Sequence, residues 1–304
     1  VRRQRQMCIR DRIGAHMVRE LDPGEVVVID ETGWRSLRPF NDEAVDPRLC
    51  LFEFVYFARP DSVLYGQSVH HARVRMGEML AAQAPVDADL VMGVPESGIP
   101  AAEGYARASG IPYGQGLVKN RYIGRTFIAP TQALRSAAVR MKLNPLRDNI
   151  EDQRLVVVDD SIVRGTTTRA MVRMLRDAGA AEVHMRVSSP PYRWPCFYGM
   201  DTGTRGELLA ANLTVDEIRE YLEVESLTYL KLDHLLEATG AVGAGFCDAC
   251  LTGTYPIEIP VNLSKTVLEG QAGTSAPERT MPIRDDGEAE LPTEAANRLF
   301  GHGS

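Results

Sequence analysis

The feature that most constrains the fold is an unbroken apolar run, Leu155-Val156-Val157-Val158, that stops abruptly at two adjacent carboxylates, Asp159 and Asp160. A run without polar alternation suits a strand buried on both faces, as in a parallel sheet covered by helices. A loop of small and polar residues follows: Ser161, Ile162, Val163, Arg164, Gly165, Thr166 and Thr167. Helical spacing then sets Met171, Leu175 and Ala178 on one side, and Gly179 ends it. In open α/β sheets ligands bind beyond the carboxyl ends of the strands, where this loop would stand. Gly165 permits close backbone approach, and loop N–H groups with a helix N-terminus suit a phosphate. Paired carboxylates beside a phosphate can accept from sugar hydroxyls or help hold a hard cation such as Mg²⁺. A bare Asp-Asp would read as an ordinary strand-to-helix turn; the whole loop points to a ligand.

The same strand–loop–helix rhythm recurs. Residues 90–94 are apolar and precede Pro95-Glu96-Ser97-Gly98, then a helical stretch ending near Gly110. Residues 182–188 supply a further strand, and residues 70–82 have helical spacing with Val74, Met79 and Leu80 as core contacts. Thr214 and Glu217 are spaced as a capping box. Leu227, Leu230 and Leu235 predict another helix, stopped by Gly240. Near the start, residues 25–29 read as a strand and Glu31-Thr32-Gly33 as a turn. This alternation indicates a parallel sheet flanked by helices. Residues 261–304 are polar and aperiodic, the composition of a disordered tail. Residues 1–12 are Arg-rich without an apolar segment and read as foreign to the fold.

Composition narrows the function classes. With 34 Lys and Arg against 41 Asp and Glu, the chain carries a formal charge of −7, which argues against general binding to nucleic acid or anionic membranes. Its apolar runs are strand-sized, far below the ~20 residues of a membrane span. A cytoplasmic location is expected. His70, His71, His184 and His234 lack metal-ligand spacing, and Trp34 and Trp194 read as packing residues.

The loop at residues 159–167 resembles the phosphoribosyl-diphosphate signature of type I phosphoribosyltransferases. The wider context resembles the amidophosphoribosyltransferase family: Glu53-Phe-Val-Tyr-Phe-Ala-Arg-Pro-Asp61, Gly93-Val-Pro-Glu-Ser-Gly98, Lys119-Asn-Arg-Tyr-Ile-Gly-Arg-Thr-Phe-Ile128 and Met141-Lys-Leu-Asn-Pro145. The resemblance implies an α/β type I phosphoribosyltransferase fold over residues 46–256. It also implies that residues 13–45 are a β remnant of an N-terminal-nucleophile glutaminase domain. The implied reaction transfers phosphoribose from 5-phosphoribosyl 1-diphosphate to ammonia, or to ammonia drawn from glutamine in the longer enzymes, opening purine biosynthesis. By the same resemblance Asp159 and Asp160 would meet the ribose hydroxyls and Mg²⁺, and the loop from Ser161 to Thr167 the 5-phosphate. Glu96, Ser97 and Gly98 would serve the diphosphate, Ser97 also the Mg²⁺. Lys119, Arg121, Tyr122 and Arg125 would belong to a loop closing over the site, neutralising the leaving diphosphate and excluding water. Purine nucleotides are implied as inhibitors, and a homo-oligomer is expected.

Cys247 and Cys250 form a C-x-x-C, which alone could serve zinc, redox or iron–sulfur chemistry. Cys50 and Cys196 bring the set to four, enough for a [4Fe–4S] cluster of the kind that the Bacillus-like members of the family carry. A zinc site and four unrelated thiols stay open as alternatives. Cys8 does not stand in the context of the family's glutaminase nucleophile, so glutamine hydrolysis by this chain alone is not expected. Two rival readings are a salvage enzyme that accepts a nucleobase, and a non-catalytic regulator that binds phosphoribosyl diphosphate.

Overall fold

The computed structural model describes residues 14, 18–19, 21–40, 46–120, 142–200, 204–241 and 245–259. The chain divides into Val1–Pro256 and Ile257–Ser304, and the fold described is that of the first unit. The expectations for residues 1–12 and 261–304 lie outside the described residues.

The core is a four-stranded parallel sheet of β1 (Leu90–Gly93), β2 (Arg154–Asp159), β3 (Glu182–Val187) and β4 (Ser226–Tyr229), adjacent in that order. Tyr113 adds a single parallel bridge to Val91 on the outer side of β1. The chain therefore leaves β1 toward one side and returns, as β2, on the other. That reversal is a topological switch point, and it lies between β1 and β2.

Residues 155–158 have no exposed surface because both faces of β2 are covered. Val156 and Val158 pack into a core with helices α1 (Val69–Gln83) and α2 (Ile99–Ser109). Leu155 and Val157 face the other way, onto α3 (Thr166–Asp177) and α4 (Val215–Leu222). Helix starts follow the sequence signals. The Ser68 hydroxyl accepts from the backbone N–H of His71, and Thr214 with Glu217 forms the full capping box. Gly110, in the left-handed region, ends α2. At the bottom of the sheet Arg154 of β2 is clamped by Asp89 at 2.7 Å and Asp87 at 2.6 Å.

One expected helix is corrected. Leu227 lies in strand β4, Leu230 in the connection after it, and only Leu235 in helix α5 (Leu232–Thr239). Three leucines spaced so loosely fit either period, and pairing with β3 decides for a strand. Gly240 does stop α5.

Val26–Asp30 and Gly33–Leu37 form an antiparallel ribbon with Asp30 opposite Gly33. The expectation that Trp34 packs inside is also corrected: it is 62% exposed, with the Arg19 guanidinium 5.5 Å from its ring centre. Among the described residues no further strand pairs with this ribbon, and a two-stranded sheet buries little by itself.

Candidate active site and cysteine site

Strand β2 delivers Asp159 and Asp160 to the switch point. Asp160 is buried, and its backbone N–H donates to the Asp159 carboxylate at 2.9 Å. Burial, and then the charge of Asp160, raises the Asp159 carboxyl well above the usual range; burial raises Asp160 too. Two carboxyl groups held together with little water repel one another, and a cation or a hydroxyl-rich ligand relieves that repulsion. The Ser161 hydroxyl donates to Asp160, and the Ser97 hydroxyl is near enough to draw the Asp160 carboxyl partly back down.

Ser97 comes from the β1–α2 loop, so its approach to Asp160 brings together the two loops that flank the switch point. The seat is tight. A methyl group on Gly98 would lie 2.3 Å from the carbonyl oxygen of Val158, so only glycine lets α2 start so close to β2. Gly165 takes a left-handed φ of 72° before α3, and a side chain there would meet Leu209 at 2.5 Å. The N–H groups of the first turn of α3 thus open toward the loop from Ser161 to Gly165, of which Ile162 is buried and Val163 half-buried. The side chain of Arg164, expected to serve the phosphate, pairs with Glu207 at 2.6 Å. Lys119 ends the strand Leu117–Lys119 and reaches Glu96 at 3.6 Å, which brings these two expected residues together across the loops. Arg121, Tyr122 and Arg125 lie outside the described residues.

Arg73 is a residue the sequence reasoning missed. It lies on the buried stripe of α1 with Val69, Met76 and Leu80, and donates from Nε to Phe54 O and from Nη2 to Ala58 O, both at 2.8 Å. Its guanidinium is in electrostatic reach of Asp160 and Glu53, both buried. The signal was an arginine at the apolar spacing of a helix.

The four cysteines come together from three places. Cys50 and Cys247 are register partners in a short parallel pair, Leu49–Cys50 with Phe246–Cys247. Cys250 lies in the following turn, Ala249–Thr252, and Cys196 is in electrostatic reach of all three. Burial pushes the Cys50 thiol up to about 11 and raises Cys247 and Cys250 as well. Such thiols stay protonated unless a metal centre stabilises the thiolate. Among the described residues, however, no group of three or more His, Cys, Asp or Glu is gathered as a single metal ion requires. That weighs on the zinc alternative, since a tetrahedral site with ~2.3 Å bonds needs its sulfurs packed around one point. Ser97, Asp159 and Asp160 include only two such residues, and Mg²⁺ usually keeps several waters and takes substrate phosphates as ligands.

One span of chain joins the two sites. Ser188 donates its backbone N–H to Asp159 O at 2.9 Å, Tyr192 is fully buried edge-on to Phe52, and Arg193 and Trp194 both donate to Cys250 O at 3.0 Å.

A family model for the phosphoribosyl transferase domain matches residues 70–189. The amidophosphoribosyltransferase of Synechocystis sp. is 56% identical over 266 residues, covering 87% of this chain and 53% of that protein. That of Mycobacterium leprae is 49% identical over 293 residues, covering 94% of this chain and 52% of the relative. The chain belongs to the amidophosphoribosyltransferase family. The solved glutamine phosphoribosylpyrophosphate amidotransferase of B. subtilis, complexed with ADP and GMP, matches with a TM-score of 0.72 at 50% identity, covering 84% of this chain and 57% of that one. The sheet and its loops are thus a type I phosphoribosyltransferase fold, and the chain spans about half the length of the curated relatives it matches. No described helix is long and apolar enough to cross a membrane.

Proposed function

We propose that this chain transfers phosphoribose from 5-phosphoribosyl 1-diphosphate to ammonia, giving 5-phosphoribosylamine and diphosphate, as the transferase part of an amidophosphoribosyltransferase in the cytoplasm. The observation that carries this reading is the close seat of Gly98 on the Val158 carbonyl oxygen, which sets a diphosphate-type loop beside a phosphate-type loop across the switch point. Asp159 and Asp160 would accept from the ribose 2- and 3-hydroxyls, which fixes C1 over the crevice. The N–H groups from Ser161 to Thr167, with the N-terminus of α3, would hold the 5-phosphate. As diphosphate leaves, positive charge develops at C1, and the buried acid pair beside it stabilises that charge. Lys119, already over Glu96, would meet the departing diphosphate with the N–H groups of the Glu96–Ser97–Gly98 turn. Magnesium, when bound, would neutralise diphosphate charge, with Ser97, Asp159 and Asp160 nearest to it.

The four thiols fit a [4Fe–4S] cluster, in which each thiolate takes a separate iron and so stands further from its neighbours than around one ion. Its role would be structural, since the transfer moves no electrons. The relative solved with ADP and GMP supports purine nucleotides as inhibitors of this chain, and a homo-oligomer is proposed with it.

The test is diphosphate release from phosphoribosyl diphosphate and Mg²⁺ by anaerobically purified chain, with ammonium, glutamine or a purine base as acceptor. Release with ammonium supports the reading. Turnover of a base would replace it with salvage, and tight binding without release would replace it with a regulator.

A further inference from the structure

The segment that carries Cys196 is gripped on both sides of that residue by one side chain. The Tyr255 hydroxyl donates to the carbonyl of Pro195 at 2.6 Å. Its ring stands 5.4 Å from that of Phe197 and 6.2 Å from that of Tyr198, both steeply tilted. Tyr255 is three residues beyond the turn that holds Cys250, and its phenol is in electrostatic reach of Cys196 and Cys250. The remaining contacts run the same way. Arg193 and Trp194 donate to Cys250 O, the Trp194 indole covers Gly253, and the Arg205 guanidinium lies 3.9 Å from the Trp194 ring centre. Cys50, Cys247 and Cys250 are held by a strand pair and a helical turn. Cys196 lies in neither, and this aromatic grip brackets it.

We propose that Tyr255 is the positioning residue of the cysteine site: it latches the Cys196 segment onto the Cys250 turn, and so sets how readily outside reagents reach Cys196 and how long a group bound by the four thiols survives. The inference rests on reading the four cysteines as one ligand site. Tyr255 keeps no bond to the ligand itself; it acts by closing the open side of the set. Of its two contributions, the hydrogen bond fixes the backbone ahead of Cys196, while the ring packing shields the backbone behind it.

Two variants of the intact chain separate these contributions. Tyr255→Phe keeps the ring and loses the bond to Pro195; Tyr255→Ala loses both. The first readout is the rate at which iodoacetamide alkylates Cys196 relative to Cys250, read by peptide mass spectrometry on anaerobic chain before and after chelation. A lost hydrogen bond and two lost ring contacts predict about a tenfold rise for Tyr255→Ala and a smaller rise for Tyr255→Phe. The second readout is the decay of the cluster's visible absorbance in air after reconstitution with iron and sulfide, expected to quicken in the same order. Cys196 alkylating at the parent rate in both variants would overturn the latch. Should Tyr255→Ala fail to fold, Tyr255→Phe decides alone. A parent chain that takes up neither iron nor sulfide would overturn the cluster, while the alkylation comparison still decides the latch.

Discussion

Adding one methyl group at Gly98 should disable the site while leaving the sheet intact. The new carbon would sit 2.3 Å from the Val158 carbonyl oxygen and 3.0 Å from the Val94 backbone nitrogen, both rigid backbone atoms. Ordinary contact needs a little over 3 Å, so the start of α2 must retreat from β2 by about 1 Å. Overpacking of this kind costs about 1–3 kcal/mol, or a fall in melting temperature of roughly 2–4 °C per kcal/mol in a domain of this size. The retreat carries Ser97 away from Asp160, and a displacement of about 1 Å at a reacting centre costs on the order of a hundredfold in rate. Calorimetry, with diphosphate release under saturating ammonium, measures both. The comparison is Gly116→Ala, where the added carbon meets the movable end of Met92 at 2.4 Å instead of backbone. Its rate should stay near the parent's. Equal behaviour of the two variants would refute the claim that the α2 start is seated rigidly on β2.

Asp160→Asn removes one charge from a buried, mutually repelling pair; it should lose at least about a hundredfold in diphosphate release yet melt no lower than the parent at neutral pH. Asp89→Asn tests the clamp on β2. Its partner Arg154 lowers the Asp89 carboxyl from 3.8 to about 2, so the native state binds fewer protons than the unfolded chain between those values. The stabilisation is therefore fully present above pH ~4 and lost as pH falls toward ~2. Urea titrations should show the variant weaker at pH 7 and the gap closing in acid. Cys50→Ser should lower iron and sulfide content after reconstitution, since the Cys50–Cys247 register pair is the fixed side of the thiol set.

Much of the site was legible because its signals are local. The apolar run before Asp159 can be buried only on both faces, and glycines at 110, 165 and 240 mark chain reversals at helix ends. The capping box at Thr214 was likewise readable from two residues three apart. What escaped was long-range. Leu227 and Leu235 carry no information on strand or helix until β3 pairs with β4. Arg73 looks like a surface residue of a helix until Phe54 and Ala58 present their carbonyls to it. That Cys196 joins the other cysteines came from the family resemblance alone; the Tyr255 contact and the backbone bonds to Cys250 that accompany it are encoded by no spacing.

The span from Ser188 to Trp194 is pinned to Asp159 at one end, to Cys250 at the other, and by the buried Tyr192 between them. A close-packed segment anchored at three points cannot absorb a shift at one end locally. Were the proposed cluster to steady the acid pair through this span, linkage would make the effect reciprocal, and sugar diphosphate on the acid pair would hold the cluster by the same factor. A cofactor that moves no electrons would in that case still be an effector of the proposed reaction, and the substrate a guardian of the cofactor.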